Sequence, residues 1–240
     1  MPWLSGVFAL SLALIHLYCG KLRFLDTLPR SRWLSMASGV SVAYVFVHLL
    51  PDLHLRQKAI AETGFLAFLE HHVYLIALFG LAVFYGLERV VRESSQRQEE
   101  EGKDSPEPGI FWLHITSFSL YNSLIGYLLL HREEPGVQSL VLFFIAMALH
   151  FAVNDYGLRQ DHKRAYHNQG RWLLATAIIV GWVIGYGTIV PDAAIAVLFA
   201  FLAGGIILNV LKEELPEERQ SQFWAFATGA GVYSVLLLTL

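Results

Sequence analysis

Residues 139–155 read SLVLFFIAMALHFAVND, a run of eleven positions in which only Ser139 is polar, followed within six positions by a histidine, an asparagine and an aspartate. At ~1.5 Å rise per residue, an apolar helix of about twenty residues crosses the hydrocarbon core of a bilayer. The whole chain has the same character, because 55% of its 240 residues are apolar and only 15% are charged. This composition predicts an all-helical integral membrane protein.

Eight apolar runs of spanning length predict eight transmembrane helices in a single transmembrane domain. They lie near residues 3–20, 33–53, 69–88, 110–131, 138–158, 172–190, 193–211 and 222–240. The first run could also be a signal peptide, but no basic residue precedes it and four follow it, which favours a span with its N-terminus outside. The net charge of −3 and the scattered basic residues exclude a nucleic-acid partner.

The distribution of Lys and Arg predicts the orientation of these helices. The loops after helices one, three, five and seven carry 14 of the 17 basic residues, and those after helices two, four and six carry the other 3. Since basic residues stay in the cytoplasm, both termini are expected outside a plasma membrane, which is the inner membrane in a bacterium. Residues 93–109 contain no apolar side chain and are predicted to be a disordered cytoplasmic linker between helices 1–3 (residues 1–92) and helices 4–8 (residues 110–240).

Two segments of the chain resemble one another. Residues 37–52 read ASGVSVAYVFVHLLPD and residues 203–217 read AGGIILNVLKEELPE, with Gly39 and Gly204 each twelve positions before a proline. In the predicted topology these two helices run in opposite directions across the membrane. The pattern predicts an inverted repeat of helices 1–3 and 6–8 around the central helices 4 and 5, an arrangement typical of secondary transporters.

The central helices carry polar residues at membrane depth. His150 and Asn154 share a face of helix five, with Asp155 roughly 100° further round, and Tyr121 and Asn122 lie in the middle of helix four. An ionised carboxylate at this depth costs several kcal/mol, so it faces the protein interior and pairs with another group. A divalent cation is one such partner, since imidazole, carboxylate and amide ligands suit zinc, iron and manganese. Hydrogen bonding between helices is the alternative.

These features together resemble the ZIP (Zrt/Irt-like) family of divalent-metal transporters. The resemblance covers nearly the whole chain and includes HLLPD at residues 48–52, AGG and ELPE at either end of residues 203–217, and the polar loop after helix three. It implies a binuclear metal site between helices four and five, in the family's motifs HNxxEG and HExxHExGD. These motifs correspond to residues 121–126 (YNSLIG) and 150–158 (HFAVNDYGL).

The match to those motifs is incomplete. Four positions keep the family's residue, namely Asn122, Gly126, His150 and Gly157. Asp155 keeps a carboxylate where the family has glutamate. Tyr121 replaces a histidine ligand, Ile125 an acidic ligand and Asn154 a histidine or glutamine. Because one Zn²⁺ needs about four ligands, we expect a single weakly held ion, zinc above the others. Its ligands would come from His150, Asp155, Asn122, Asn154 and Tyr121.

Histidines and acids also gather at the extracytoplasmic helix ends. The group comprises His48, Asp52, His54, Glu70, His71, His72, His131, Glu133 and Glu134. Of these, His48, Asp52, His71 and His72 are candidates for capturing the ion before it enters, although solvation at the headgroup level attracts histidine as well. On the opposite side, His162 and His167 are assigned to a basic cytoplasmic loop.

Three functions of different classes follow from these observations. The first is a ZIP-like transporter that moves a divalent cation, with no organic cofactor and with a homodimer or other membrane subunits left open as partners. The second is a ZIP-derived protein that no longer transports and acts as a sensor or as a subunit of a larger complex. The third, an intramembrane metal hydrolase, needs three ligands and a base at one depth. Since His48, His114 and His150 are expected at different depths, we predict that the protein is not an enzyme.

Overall fold

The computed structural model describes residues 2–21, 32–61, 72–100, 108–132, 136–214 and 222–239, and the regular structure in these ranges is helical. The α-helices are α1 (Pro2–Tyr18), α2 (Arg32–Tyr44), α3 (Leu50–Ala61), α4 (His72–Glu100), α5 (Pro108–Leu128), α6 (Val137–Ala165), α7 (Arg171–Gly187), α8 (Asp192–Asn209) and α9 (Phe223–Leu237). Three π-helical turns, Val45–Leu49, Tyr166–Gly170 and Val210–Glu214, continue α2, α6 and α8. The all-helical fold class is therefore confirmed.

Four helical segments in the described ranges are long and apolar enough to cross a membrane: Ser35–Gln57, Val73–Gln98, Val137–Gly187 and Asp192–Lys212. The helices α1 and α9 are apolar but shorter. Large apolar side chains also cover the outside of the bundle, where Phe79 is 63% exposed and Val183 is 54% exposed. An outer surface of this kind is suited to lipid, so the chain is an integral membrane protein.

The segment Val137–Gly187 has 51 residues, about twice what a bilayer needs. It breaks near its middle, because Lys163 has φ 40° and ψ −110°, which are not helical values. A positive φ is uncommon for a residue with a side chain and is strained. The break leaves residues 137–162 and 164–187 as two stretches, each of spanning length.

Helices α4 and α8 cross at two glycines. A Cβ added at Gly80 would overlap the carbonyl oxygen of Phe201, and one added at Gly204 would overlap that of Ala77. Further along both helices, Lys212 reaches Glu88. The contacts of Gly80 with Phe201, of Phe84 with Gly205 and of Glu88 with Lys212 advance together along the two helices, so α4 and α8 are parallel. Their backbones touch at the glycines, as in small-residue packing between membrane helices.

Helices α2 and α9 pack in the same manner. A Cβ at Gly39 would overlap the carbonyl oxygen of Phe226, and one at Gly229 would overlap that of Met36. The two helices are again parallel, because Ser35, before Gly39, accepts a hydrogen bond from the backbone N–H of Gln222, which precedes Phe226. The π-helical turn Val45–Leu49 begins six residues after Gly39, and the turn Val210–Glu214 begins six residues after Gly204. In both similar sequence segments, the glycine, Gly39 or Gly204, thus lies at a close helix crossing and six residues before a π-helical turn.

The remaining helices form the surroundings of the polar residues. Helix α5 is parallel to α7, with His131 Nε2 2.9 Å from the carbonyl oxygen of Gly185. Helix α1 is antiparallel to α7, where Trp182 Nε1 donates to Ser5 Oγ at 3.1 Å, and parallel to α6, where the rings of Phe8 and Phe144 stack 4.3 Å apart. Helices α1, α5 and α6 therefore share one interior.

The predicted linker at residues 93–109 is partly wrong, because α4 continues to Glu100. Glu, Gln and Arg are good helix formers, and an ion pair one turn apart, Arg89 Nε to Glu93 Oε1 at 2.8 Å, spans the start of this extension. Residues 101–107 lie outside the described ranges. Polar composition thus marked the end of the apolar span and not the end of the helix.

The glycine crossings predict a stability difference between two substitutions. Gly204→Ala inserts a methyl group into the backbone of α4, so we expect it to lower the free energy of unfolding by about 1–3 kcal/mol. Gly86→Ala, where a Cβ meets nothing within 4 Å, is the matched control and should be neutral or stabilising by up to ~1 kcal/mol. Unfolding of the two purified variants in detergent micelles measures both. Equal stability of the two variants would contradict the close crossing.

Candidate functional site

Asp155 is the most deeply placed acid of the described chain, with 0% of its surface exposed. Its Oδ1 lies 2.7 Å from Nδ1 of His16 on α1, and both side chains are buried. Two ligands of one tetrahedral Zn²⁺ lie about 3.3 Å apart when each is ~2.0 Å from the metal. The shorter distance is that of a hydrogen bond, so Asp155 and His16 are joined directly in this conformation.

Asn122 completes this group and fixes its protons. Its Nδ2 donates to the carbonyl oxygen of Phe118 at 2.7 Å, which leaves Oδ1 facing Nε2 of His16 at 3.1 Å. Because an amide oxygen only accepts, Nε2 of His16 carries the proton. One further proton lies between His16 and Asp155. Wherever along that bond it sits, the pair has no net charge, so His16 compensates the carboxylate that the bilayer would otherwise penalise.

Next to this pair, Nδ2 of Asn154 has no hydrogen bond within the described part of the chain. Oδ2 of Asp155 has no hydrogen bond of normal length, but the Tyr166 hydroxyl, on the π-helical turn after α6, faces the carboxylate as a hydrogen-bond donor. Incompletely bonded buried polar atoms cost free energy, and such atoms commonly mark a place for a water or an ion. The space between Asp155 Oδ2 and the Tyr166 hydroxyl is therefore the best-supported place for a polar ligand.

His150 and Tyr121 form a second group beside the first. Their rings are 6.0 Å apart and nearly perpendicular, and His150 is also next to Phe151. Within the described residues no three side chains of the types His, Cys, Asp and Glu are close enough together to hold a metal ion. The structure thus brings the predicted ligands to neighbouring positions on α5 and α6 without assembling them around one point.

The predicted outer capture residues have other contacts. The ring of His48, on the π-helical turn, has its centre 5.3 Å from that of Tyr44. Asp52 Oδ1 is 3.4 Å from Nε of Arg56, whose guanidinium lies 4.5 Å from the ring centre of Phe199. Asp52 therefore already has a cationic partner. Of the other two candidates, His71 and the side chain of His72 lie outside the described residues.

A second buried polar cluster, which we call the inner cluster, consists of Glu88 on α4, His114 on α5, His162 on α6 and Lys212 after α8. Nδ1 of His114 is 2.7 Å from Nε2 of His162, and Nε2 of His114 is 3.1 Å from Oε1 of Glu88. Lys212 pairs with the other oxygen of Glu88. The assignment of His162 to a cytoplasmic loop was wrong, because α6 continues past it and its side chain is 0% exposed.

His16 is the member of the buried Asp155 group that the sequence prediction missed. It is the single histidine in the first apolar run, and an ionisable residue inside a membrane span is by default a site candidate. That signal was available. Its partner was not, since Asp155 lies 139 residues away along the chain.

Comparisons of the chain with protein-family models, with curated proteins and with solved structures found no match.

The His16–Asp155 pair predicts strong energetic coupling. His16→Ala and Asp155→Ala each leave the other group buried without its partner, so each should cost about 3–5 kcal/mol of unfolding free energy. The double variant should cost less than the sum by more than about 1 kcal/mol. His167→Ala, on the exposed side of the turn after α6, is the control, with an expected effect within about 0.5 kcal/mol. Additive single effects in detergent unfolding would show that the two groups do not interact.

Proposed function

We propose that this protein is a ZIP-like membrane transporter that moves a divalent cation, of the zinc, iron or manganese class, by alternating access. The observation that carries the proposal is the convergence of α1, α5 and α6 on the fully buried Asp155. A carboxylate held at membrane depth is costly and therefore usually functional. Oδ2 has no hydrogen bond of normal length and faces the Tyr166 hydroxyl, which gives that carboxylate a side on which to meet a cargo ion.

The donor set suits such a cargo better than the sequence indicated. His16 adds an imidazole to the candidate donors His150, Asp155, Asn122 and Asn154. Of these, His16, Asp155 and Asn122 are in contact, so a site of about four ligands would need His150 or Asn154 to move towards them. Because His16 and Asp155 are bonded to each other here, a cation would have to part them. We infer that Asp155 exchanges its partner between His16 and the cargo as the transporter changes conformation.

Eight spans built as an inverted repeat are the architecture we propose for this transport. The equivalent positions of Gly39 and Gly204 relative to their helix crossings and π-helical turns support the repeat. The break at Lys163 supports counting the 51-residue segment as two spans. The crossings also support the topology, because the parallel pairs α2 with α9, α4 with α8 and α5 with α7 each join spans expected to run in the same direction.

A second candidate is a ZIP-derived membrane protein that does not transport and acts as a sensor or as a subunit of a larger complex. The His16–Asp155 hydrogen bond of 2.7 Å favours it, since that bond already neutralises the buried acid. The absence of a three-ligand group from the described ranges favours it too. In this case the polar residues of α1, α5 and α6 serve to hold the helices together.

Metal uptake distinguishes the two candidates. In proteoliposomes loaded with a zinc-sensitive dye, His150→Ala and Asp155→Ala should each lower the initial rate of Zn²⁺ entry at least about tenfold. Mutating a residue that only supports a metal ligand already lowers metal affinity or activity by about tenfold or more. His167→Ala should match the wild type. Entry of iron and of manganese is assayed in the same way, with a dye that responds to each metal.

Full uptake in both site variants would refute the assignment of the site. Absence of uptake by the wild type with all three metals, together with co-purification of a stable partner, would favour the second candidate.

Labelling from outside tests the topology. In a Cys19→Ser background, which removes the single cysteine of the chain, a membrane-impermeant maleimide should label Thr239→Cys on intact cells. Gln96→Cys should react only after permeabilisation, because α4 is expected to end in the cytoplasm. Both positions are exposed on the bundle. The reverse pattern would place the termini inside.

A further inference from the structure

The inner cluster forms an unbroken chain of hydrogen bonds across three helices. It runs from Glu88 on α4 through both nitrogens of His114 on α5 to His162 on α6. Each of these three side chains is largely or fully buried. The rings of Phe118 and Phe111 pack edge-on against His114 and His162. The chain is therefore insulated along its length, as a polar network in a low-dielectric interior requires.

The distances identify what this chain can hold. Two imidazole nitrogens bound to one metal ion at 2.0–2.1 Å each would lie more than about 3 Å apart. The nitrogens of His114 and His162 are 2.7 Å apart, so a proton and not a metal ion lies between them. With Glu88 ionised, Nε2 of His114 donates to Oε1, and its Nδ1 then accepts from Nε2 of His162. All three groups are thus aligned for proton transfer.

A transfer along this chain balances atom by atom. A proton that binds Nδ1 of His162 allows Nε2 to release its proton to Nδ1 of His114. Nε2 of His114 then releases its own proton to Oε1 of Glu88. Each ring gains one N–H bond and loses one, and the carboxylate ends protonated. The reverse sequence carries a proton from Glu88 to His162.

The end of the chain at Glu88 is open to its surroundings. Glu88 and Lys212 line a groove of about 340 Å³, which is also lined by Tyr85, Arg89, Arg92, Leu208 and Leu211. Lys212 acts electrostatically on Glu88. Each of the two histidines is influenced by Glu88 and by the ring of the other histidine. Arg89 pairs with Glu93 on the exposed face of α4. A proton at Glu88 can therefore leave to water through the groove.

The other end of the chain lies in the helix that carries the candidate site. His162 is seven residues after Asp155 on α6, which is about 10 Å at ~1.5 Å per residue. It directly precedes Lys163, where the backbone leaves the helical conformation. In the proposed topology this is the cytoplasmic half of the protein. A change in the protonation of His162 therefore acts at the point where α6 breaks.

We propose that Glu88, His114 and His162 form a proton relay between the cytoplasmic groove and α6, and that protons move through it when the transporter moves its cargo. The relay stands on the geometry of the inner cluster alone, whereas the coupling to cargo rests on the proposed function. Lys212 has the role of a positioning residue, which holds Glu88 at the mouth of the groove.

The relay itself is tested by ¹⁵N NMR of histidine-labelled protein in detergent micelles at pH 7. The signals of His114 and His162, assigned from the His114→Gln and His162→Gln variants, should place the proton of each ring on Nε2 and show a coupling across the hydrogen bond between the two rings. Glu88→Ala removes the acceptor of the His114 Nε2 proton and should lower the share of that tautomer in His114. Lys212→Gln leaves that acceptor in place and should keep the tautomer.

The exposed His54 and His167 are internal controls, whose signals should be the same in every variant. Absence of a coupling between the rings of His114 and His162, a proton on Nδ1 of His114, or an unchanged tautomer of His114 in Glu88→Ala would overturn the relay. The first two outcomes are read from the wild type, so the test stays decisive if Glu88→Ala does not fold.

Coupling is tested in proteoliposomes that hold both a zinc-sensitive dye and the pH indicator pyranine. Zn²⁺ entry through the wild type should change the internal pH, and His162→Gln should reduce the pH change per zinc delivered at least fivefold while zinc still enters. Zinc entry with no pH change, or with an equal pH change in His162→Gln, would overturn the coupling. No zinc entry at all, with the NMR coupling between His114 and His162 present, would instead refute the proposed transport and leave the relay standing.

Discussion

The compensation of the buried charge of Asp155 is the constraint on which the central part of this protein depends. The carboxylate has no exposed surface and lies in a bundle whose outside is apolar. His16 neutralises it, and Asn122 orients His16 through its own bond to the carbonyl oxygen of Phe118. These bonds tie α1, α5 and α6 together at one level. Any cation that enters the site has to compete with an intramolecular partner that is already in place.

Close backbone contacts position the helices that surround this centre. At Gly39, Gly80, Gly204 and Gly229 the missing side chain lets a carbonyl oxygen of the neighbouring helix approach the backbone. Such crossings fix the pairs α2 with α9 and α4 with α8 by backbone packing, and polar bonds at their ends add to it, Arg32 to Gln222 in the first pair and Lys212 to Glu88 in the second. The bonds of the buried histidines His16 and His114 join α1, α4, α5 and α6. A division of this kind allows packed pairs to move as units while the polar seam between other helices rearranges.

The polar interior has two levels with different chemistry. At the level of Asp155, the acid is bonded to His16 and faces the Tyr166 hydroxyl. About two helical turns away, the inner cluster is a chain of hydrogen bonds through Glu88, His114 and His162. Both levels include residues of α6, and the break at Lys163 directly follows the second level.

The sequence by itself determined the membrane class and the helical fold, because both follow from local quantities, namely the length of each apolar run and its composition. It also placed the polar residues of α5 and α6, since spacing along one helix determines which side chains share a face. Only the tertiary structure decided that His16 pairs with Asp155 and that His162 is buried against His114. The partners in these contacts are separated by 139 and 48 positions along the chain, respectively. Such contacts are set by the packing of helices against one another, which depends on all the surrounding helices. This packing leaves no periodic signal in any single segment of the sequence.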